Sequence, residues 1–142
     1  MNIKKTHENT LLFIWSVSLI ATFGSLFYSE IMGFTPCELC WVQRIFMYPL
    51  VIIYGMALWK KSVQMALPGL ILSGIGMFVS VYHYLTQKIP MLREAGGSCG
   101  IIPCHTEYVN YLGFITIPFL AGVAFIFIFV LHIIIVYSNR GA

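Results

Sequence analysis

Charge is scarce in this chain. Only 9% of its 142 residues are charged, against about 25% in an ordinary soluble domain. The deficit excludes a free-standing soluble fold. The one long polar stretch, residues 87–112, is too short to form a soluble domain by itself. A net charge of +3 is too small to point to nucleic acid as a partner. No acidic residue lies inside an apolar run, because Glu30 and Glu38 stand at the ends of runs. A proton-coupled transporter would be expected to carry an acid in mid-membrane. Cysteine is scarce as well: there are four, in two close pairs, Cys37 with Cys40 and Cys99 with Cys104. No internal repeat of the soluble type and no low-complexity segment is present.

What fills the chain instead is apolar. Hydrophobic residues make up 59%, the mean hydropathy is +0.87, and the apolar residues come in blocks long enough to cross a bilayer. The first block, Leu11 to Ser29, has 19 residues without a charge, ~28 Å as a helix. A cleaved signal peptide is the competing reading. It is disfavoured by the length of the run, by the lack of an A-x-A-like site, and by three further spans. The sequence therefore predicts an all-α integral membrane protein, one domain over 1–142, built as a four-transmembrane-helix bundle. The expected spans are about 11–29, 40–59, 65–85 and 113–137, with a cysteine-bearing loop over 87–112.

Local signals refine this plan. Trp41 and Trp59 are spaced like interface anchors around the second span. Gly69, Ser73, Gly76 and Ser80 form a small-residue seam on the third, suited to close helix packing. Pro118 is expected to bend the fourth. The long loop holds Pro90, Gly96, Gly97, Gly100 and Pro103, which disfavour regular structure. Lys4, Lys5, Lys60, Lys61 and Arg140 fall on one side, and Lys88 and Arg93 on the other. The positive-inside rule then puts both termini and the middle turn in the cytoplasm. Both cysteine pairs face outward, where disulfides persist.

The richest stretch is Thr35-Pro36-Cys37-Glu38-Leu39-Cys40-Trp41-Val42-Gln43-Arg44. Thr35 suits an N-cap, Pro36 the first helical position, and Glu38 the third, completing a capping box. Cys37 then lies in the first turn, where the helix dipole favours a thiolate. Cys37, Cys40 and Arg44 share one helix face.

Three readings of the cysteines compete. Four thiolates, with His105 as a substitute, could hold zinc. Each pair could be a structural disulfide, which explains the pairing but not the placement at a helix start. Dithiol–disulfide exchange explains both, since two pairs on one side of a membrane can pass electrons between them. Arg44, about one turn inside the boundary, is costly there. It either snorkels to pair with Glu30 or Glu38, or holds an electron acceptor such as a quinone oxygen. A side chain cannot carry two electrons into the membrane, whereas a lipid-soluble quinone can. Tyr82 and Tyr84 suit the aromatic belt. His83 is either satisfied locally or hydrogen-bonded to a quinone carbonyl. His132, far from the thiols, reads as structural or interfacial.

Taken together, four spans, both pairs outside, C-x-x-C opening span two and Arg44 four residues on resemble the DsbB family of disulfide-bond formation proteins. The stretches P-C-E-L-C-W-V-Q-R-I-F-M-Y-P, H-Y-L-T-Q-K and G-F-I-T-I-P-F look most like its short Gram-positive branch, the BdbC type. Proteins resembling vitamin K epoxide reductase carry their pairs in the reverse order.

The resemblance implies a membrane thiol:quinone oxidoreductase of the cell membrane. Such an enzyme reoxidises an extracytoplasmic thioredoxin-fold thiol oxidase of the DsbA/BdbD kind and so supports disulfide formation in exported proteins. It implies a quinone acceptor, expected to be menaquinone, and no metal. Carried over by position, Cys37 and Cys40 match the membrane-proximal pair, with Cys40 beside the quinone. Arg44 matches the quinone-binding arginine, His83 a quinone-site histidine, and Cys99 and Cys104 the pair that meets the partner. Cys99, flanked by glycine and serine, is expected to be attacked first. Cys104, behind Pro103, is expected to carry the exchange inward to Cys37. The alternative from another class is a small four-span transporter or structural subunit with structural disulfides.

Overall fold

The computed structural model describes residues 5–35, 38–95, 112–113 and 115–141. Helix α1 runs Lys5–Leu26 and continues as a π-helical turn over Phe27–Ile31. Helix α2 is Glu38–Lys60, and α3 is Leu67–Lys88 after a 3-10 turn at Gln64–Ala66. A short α4, Pro90–Ala95, precedes α5, Ile117–Arg140. Four of these helical segments are long and apolar enough to cross a membrane. The chain is thus an all-α four-helix membrane bundle. Pro36, Cys37, Cys99, Cys104 and His105 lie outside the described residues, and with them the capping geometry expected around Thr35.

The helices form a ring in the order α1, α2, α3, α5, with α5 closing back on α1. Helices α2 and α5 meet only slightly across the diagonal. Successive spans are ring neighbours, which gives the up-and-down arrangement of a simple bundle. The α2–α3 corner is a Schellman turn: Ser62 N–H bonds the Ala57 carbonyl at 3.0 Å and Lys61 N–H the Leu58 carbonyl at 3.2 Å. Lys61 occupies the left-handed position, φ 49°, which glycine usually takes.

The α3 seam does what small residues do in lipid. Gly69, Ser73, Gly76 and Ser80 are all buried. Tyr54 of α2 lies so close that a Cβ on Gly69 would sit 2.8 Å from its ring. A Cβ on Gly76 would collide with the Phe125 ring of α5. Apolar side chains gain nothing by leaving lipid for protein, so close backbone approach is the main source of cohesion here.

Two expectations change. Pro118 sits in the first turn of α5 rather than inside it. There its missing N–H has no helical partner to lose, so it starts the helix without bending it. The apolar run upstream misleads because Leu112 and Gly113 both have positive φ, 57° and 83°, which no helix continues through. The region 87–112 also holds regular structure among its described residues, the short helix α4.

One end of the bundle gathers Lys5, Lys60, Lys61 and Arg140. His7 Nε2 meets Ser138 Oγ at 3.1 Å, and Lys61 Nζ lies 3.6 Å from Glu8. The start of α1, the α2–α3 corner and the end of α5 therefore share this end. Cys40, Lys88 and the start of α5 lie at the other, where Lys88 Nζ donates to the Gly113 carbonyl at 3.1 Å.

Candidate functional site

Residues 40, 43, 44 and 47 of α2 follow the i, i+3, i+4, i+7 rule and so face the same way. Cys40, Gln43, Arg44 and Met47 all line one cavity of about 490 Å³. Helix α1 adds Ser25 and Tyr28, α3 adds His83 and Gln87 one turn apart, and α5 adds an apolar wall that includes Pro118 and Ala121. The lining also includes Ile20, Leu120 and Phe127, which are exposed on the outer flanks of α1 and α5. In a membrane those flanks face lipid, so the cavity opens sideways toward the bilayer.

Arg44 does not pair with Glu30 or Glu38. Its Nε donates to Ser25 Oγ at 3.0 Å, and its Nη2 to the Ser25 carbonyl at 3.3 Å. The Trp41 ring lies 5.3 Å from the guanidinium carbon, a cation–π contact along the same helix. Among the described residues no carboxylate neutralises it.

His83 is almost wholly buried, at 1% exposure. Its Nδ1 lies 3.2 Å from Gln43 Nε2. The amide nitrogen can only donate, so Nδ1 accepts and the ring proton belongs on Nε2. The Tyr48 hydroxyl is buried in the same wall and has no hydrogen-bond partner among the described residues.

Of the residues expected to form a site, Cys40, Arg44 and His83 come together around this cavity. Cys37, Cys99 and Cys104 lie outside the described residues. The zinc grouping weighed above would draw on those three. Among the described residues no three histidine, cysteine or acidic side chains converge. His132, read as structural or interfacial, is fully buried, and its Nδ1 meets the Tyr54 hydroxyl at 2.7 Å. Tyr82 is exposed, as a belt residue should be, while Tyr84 packs its ring against Phe119 at 5.7 Å. Ser25 and Gln43 were not singled out by the sequence. The only hint was a polar residue on the inward face of an apolar helix.

A thiol, a guanidinium and a buried imidazole around a side-opening cavity define a membrane-embedded thiol redox protein. Comparison with known proteins sharpens that class. The family model "Disulfide bond formation protein DsbB" matches residues 7–135. The chain is 61% identical over 132 residues to the "Probable disulfide formation protein" of Oceanobacillus iheyensis, covering 92% of this chain and 91% of that one. It is 49% identical over 139 residues to the "Probable disulfide formation protein C" of Bacillus cereus, covering 98% and 100%. It is 47% identical over 126 residues to the "Disulfide bond formation protein C" of Bacillus subtilis, covering 87% and 91%. No solved structure matches. This chain belongs to the DsbB family and has a redox role in disulfide bond formation.

Proposed function

We propose that the protein is a dithiol:quinone oxidoreductase that reoxidises an extracytoplasmic thioredoxin-fold thiol oxidase. One observation carries the reading: Cys40, Arg44 and His83 line a single cavity that opens toward lipid. A quinone fits it chemically. The wall is largely apolar, and its polar groups include donors suited to a carbonyl oxygen, among them the Arg44 guanidinium and the Tyr48 hydroxyl. When bound, the quinone supplies a two-electron sink that dissolves in the bilayer.

The chain's own residues then act in order. The partner's thiolate attacks the Cys99–Cys104 disulfide at Cys99, and Cys104 leaves. Cys104 attacks the Cys37–Cys40 disulfide at Cys37, and Cys40 leaves as a thiolate beside Arg44. The fixed positive charge stabilises that thiolate in a medium of low dielectric. The partner's second thiol then attacks its own sulfur in the bond to Cys99 and closes the partner's disulfide; the freed Cys99 attacks Cys104, re-forms the loop disulfide and releases Cys37. The Cys37 and Cys40 thiols would then give two electrons and two protons to a bound quinone as their disulfide re-forms. His83 lies in the same wall and is the imidazole assigned to the quinone site. The end of the bundle with Lys5, Lys60, Lys61 and Arg140 faces the cytoplasm, and the thiols face outward.

The test is turnover in detergent with a short-chain naphthoquinone and a reduced thioredoxin-fold oxidase. The expected result is quinone reduction matched mole for mole by disulfide formed in the oxidase, with the mixed disulfide trapped on Cys99. Oxidation of the oxidase that proceeds equally well without quinone would contradict the reading.

A further inference from the structure

We infer that Ser25 is a positioning residue that holds Arg44 in the cavity wall without neutralising it. The inference rests on the reading of Arg44 as the group that meets the quinone. A guanidinium has five N–H donors. Two, on Nε and Nη2, are spent on Ser25. This is the side edge that a carboxylate normally takes. Here both acceptors are uncharged oxygens, a hydroxyl and a carbonyl. The end edge, formed by Nη1 and the second hydrogen of Nη2, is left for a ligand oxygen. An acid in place of Ser25 would fix the same geometry but cancel the charge that the Cys40 thiolate needs.

A second observation separates Ser25 from its neighbours. Four other hydroxyls along the same helical segment turn back on their own backbone, while the buried Thr22 hydroxyl has no partner among the described residues. Thr10 bonds the Thr6 carbonyl, Ser16 the Leu12 carbonyl, Ser18 the Trp15 carbonyl and Ser29 the Leu26 carbonyl. That local bond is the default for serine in a helix. Ser25 instead accepts from α2, across the helix pair, at the last turn before α1 widens into its π segment. Such π segments recur at functional sites.

The test uses the full-length protein in detergent, with menadione as quinone and dithiothreitol as donor. Ser25→Ala should raise the Michaelis constant for menadione about tenfold, the loss of one charge-assisted hydrogen bond. The constant for dithiothreitol should stay within about twofold, and Ser25→Thr, which keeps the hydroxyl, should match the parent. Ser25→Asp should raise the menadione constant at least as far as Ser25→Ala does. The anchoring has its own readout in the exchange of the Arg44 Nε–H with water by nitrogen-15 NMR. It should be slow in the parent, Ser25→Thr and Ser25→Asp, and at least about tenfold faster in Ser25→Ala. Unchanged Nε–H exchange in Ser25→Ala, equal shifts in both Michaelis constants, or normal menadione kinetics in Ser25→Asp would each overturn the proposal. A parallel Arg44→Met variant with an unchanged menadione constant would overturn the quinone reading of Arg44, and this inference with it.

Discussion

Two buried histidines divide this bundle. His83 and His132 are both almost wholly removed from solvent, and each is bonded through Nδ1 to a side chain of α2, Gln43 in one case and Tyr54 in the other. Burial and the Nδ1 bond do not tell them apart, although His132 Nε2 has no hydrogen-bond partner among the described residues. Access does. His83 lies in the wall of a cavity that also holds Cys40 and Arg44. His132 lies where Tyr54 is pressed against Gly69 and is not among the residues that line that cavity. A polar group inside a membrane protein is therefore not a site by itself. It becomes a candidate when a void, a reactive group and a route from the bilayer meet it.

The largest expected difference between the two halves comes from the thiol. Cys40→Ala should lower quinone turnover by about a thousandfold or more, because no second group can take up its role. Its thermal stability should stay close to that of the parent, since the side chain borders a void. A large fall in melting temperature with residual turnover would place Cys40 among the packing residues instead.

The histidines themselves give the sharper comparison. His83→Leu should raise the Michaelis constant for quinone about tenfold through the loss of a donor. His132→Leu should leave that constant alone and cost about 1–3 kcal/mol of stability, because the Tyr54 hydroxyl is left buried without its partner. Denaturation and steady-state kinetics on the pair would erase the distinction if both variants moved the same quantity.

The smallest effect lies at the opposite end. Lys61 holds a left-handed backbone conformation at the corner of α2. Lys61→Gly should stabilise the fold by about 1 kcal/mol, the relief of that strain. Its exposed partner Glu8 contributes little to offset the gain. Melting curves would detect the shift, and quinone kinetics should not change.

Much of this was legible in the sequence because the bilayer enforces simple rules. Apolar runs of spanning length have to be helices, and the periodicity of α2 by itself puts Cys40 and Arg44 on one face. His83 was marked by its depth near the outer end of α3. Other features depend on contacts that sequence alone does not reveal. Ser25 reads like any serine in a membrane helix, because whether its hydroxyl turns to its own backbone or to Arg44 depends on how α1 is rotated against α2. Gln43 sits between Val42 and Arg44 with nothing local to say that its amide meets α3. Pro118 was misread because a proline inside an apolar run and one at a helix start look alike until the positive φ angles at Leu112 and Gly113 are seen.

The central claim is that the cavity between Cys40, Arg44 and His83 holds a quinone. The most direct measurement is organic extraction of the purified protein, followed by chromatography with mass detection of bound quinones. The account predicts close to one quinone per chain in the parent and in Cys40→Ala, and a loss of about tenfold or more in Arg44→Met, where the anchored cation is gone. Equal quinone in the parent and Arg44→Met, or none in either, would contradict it.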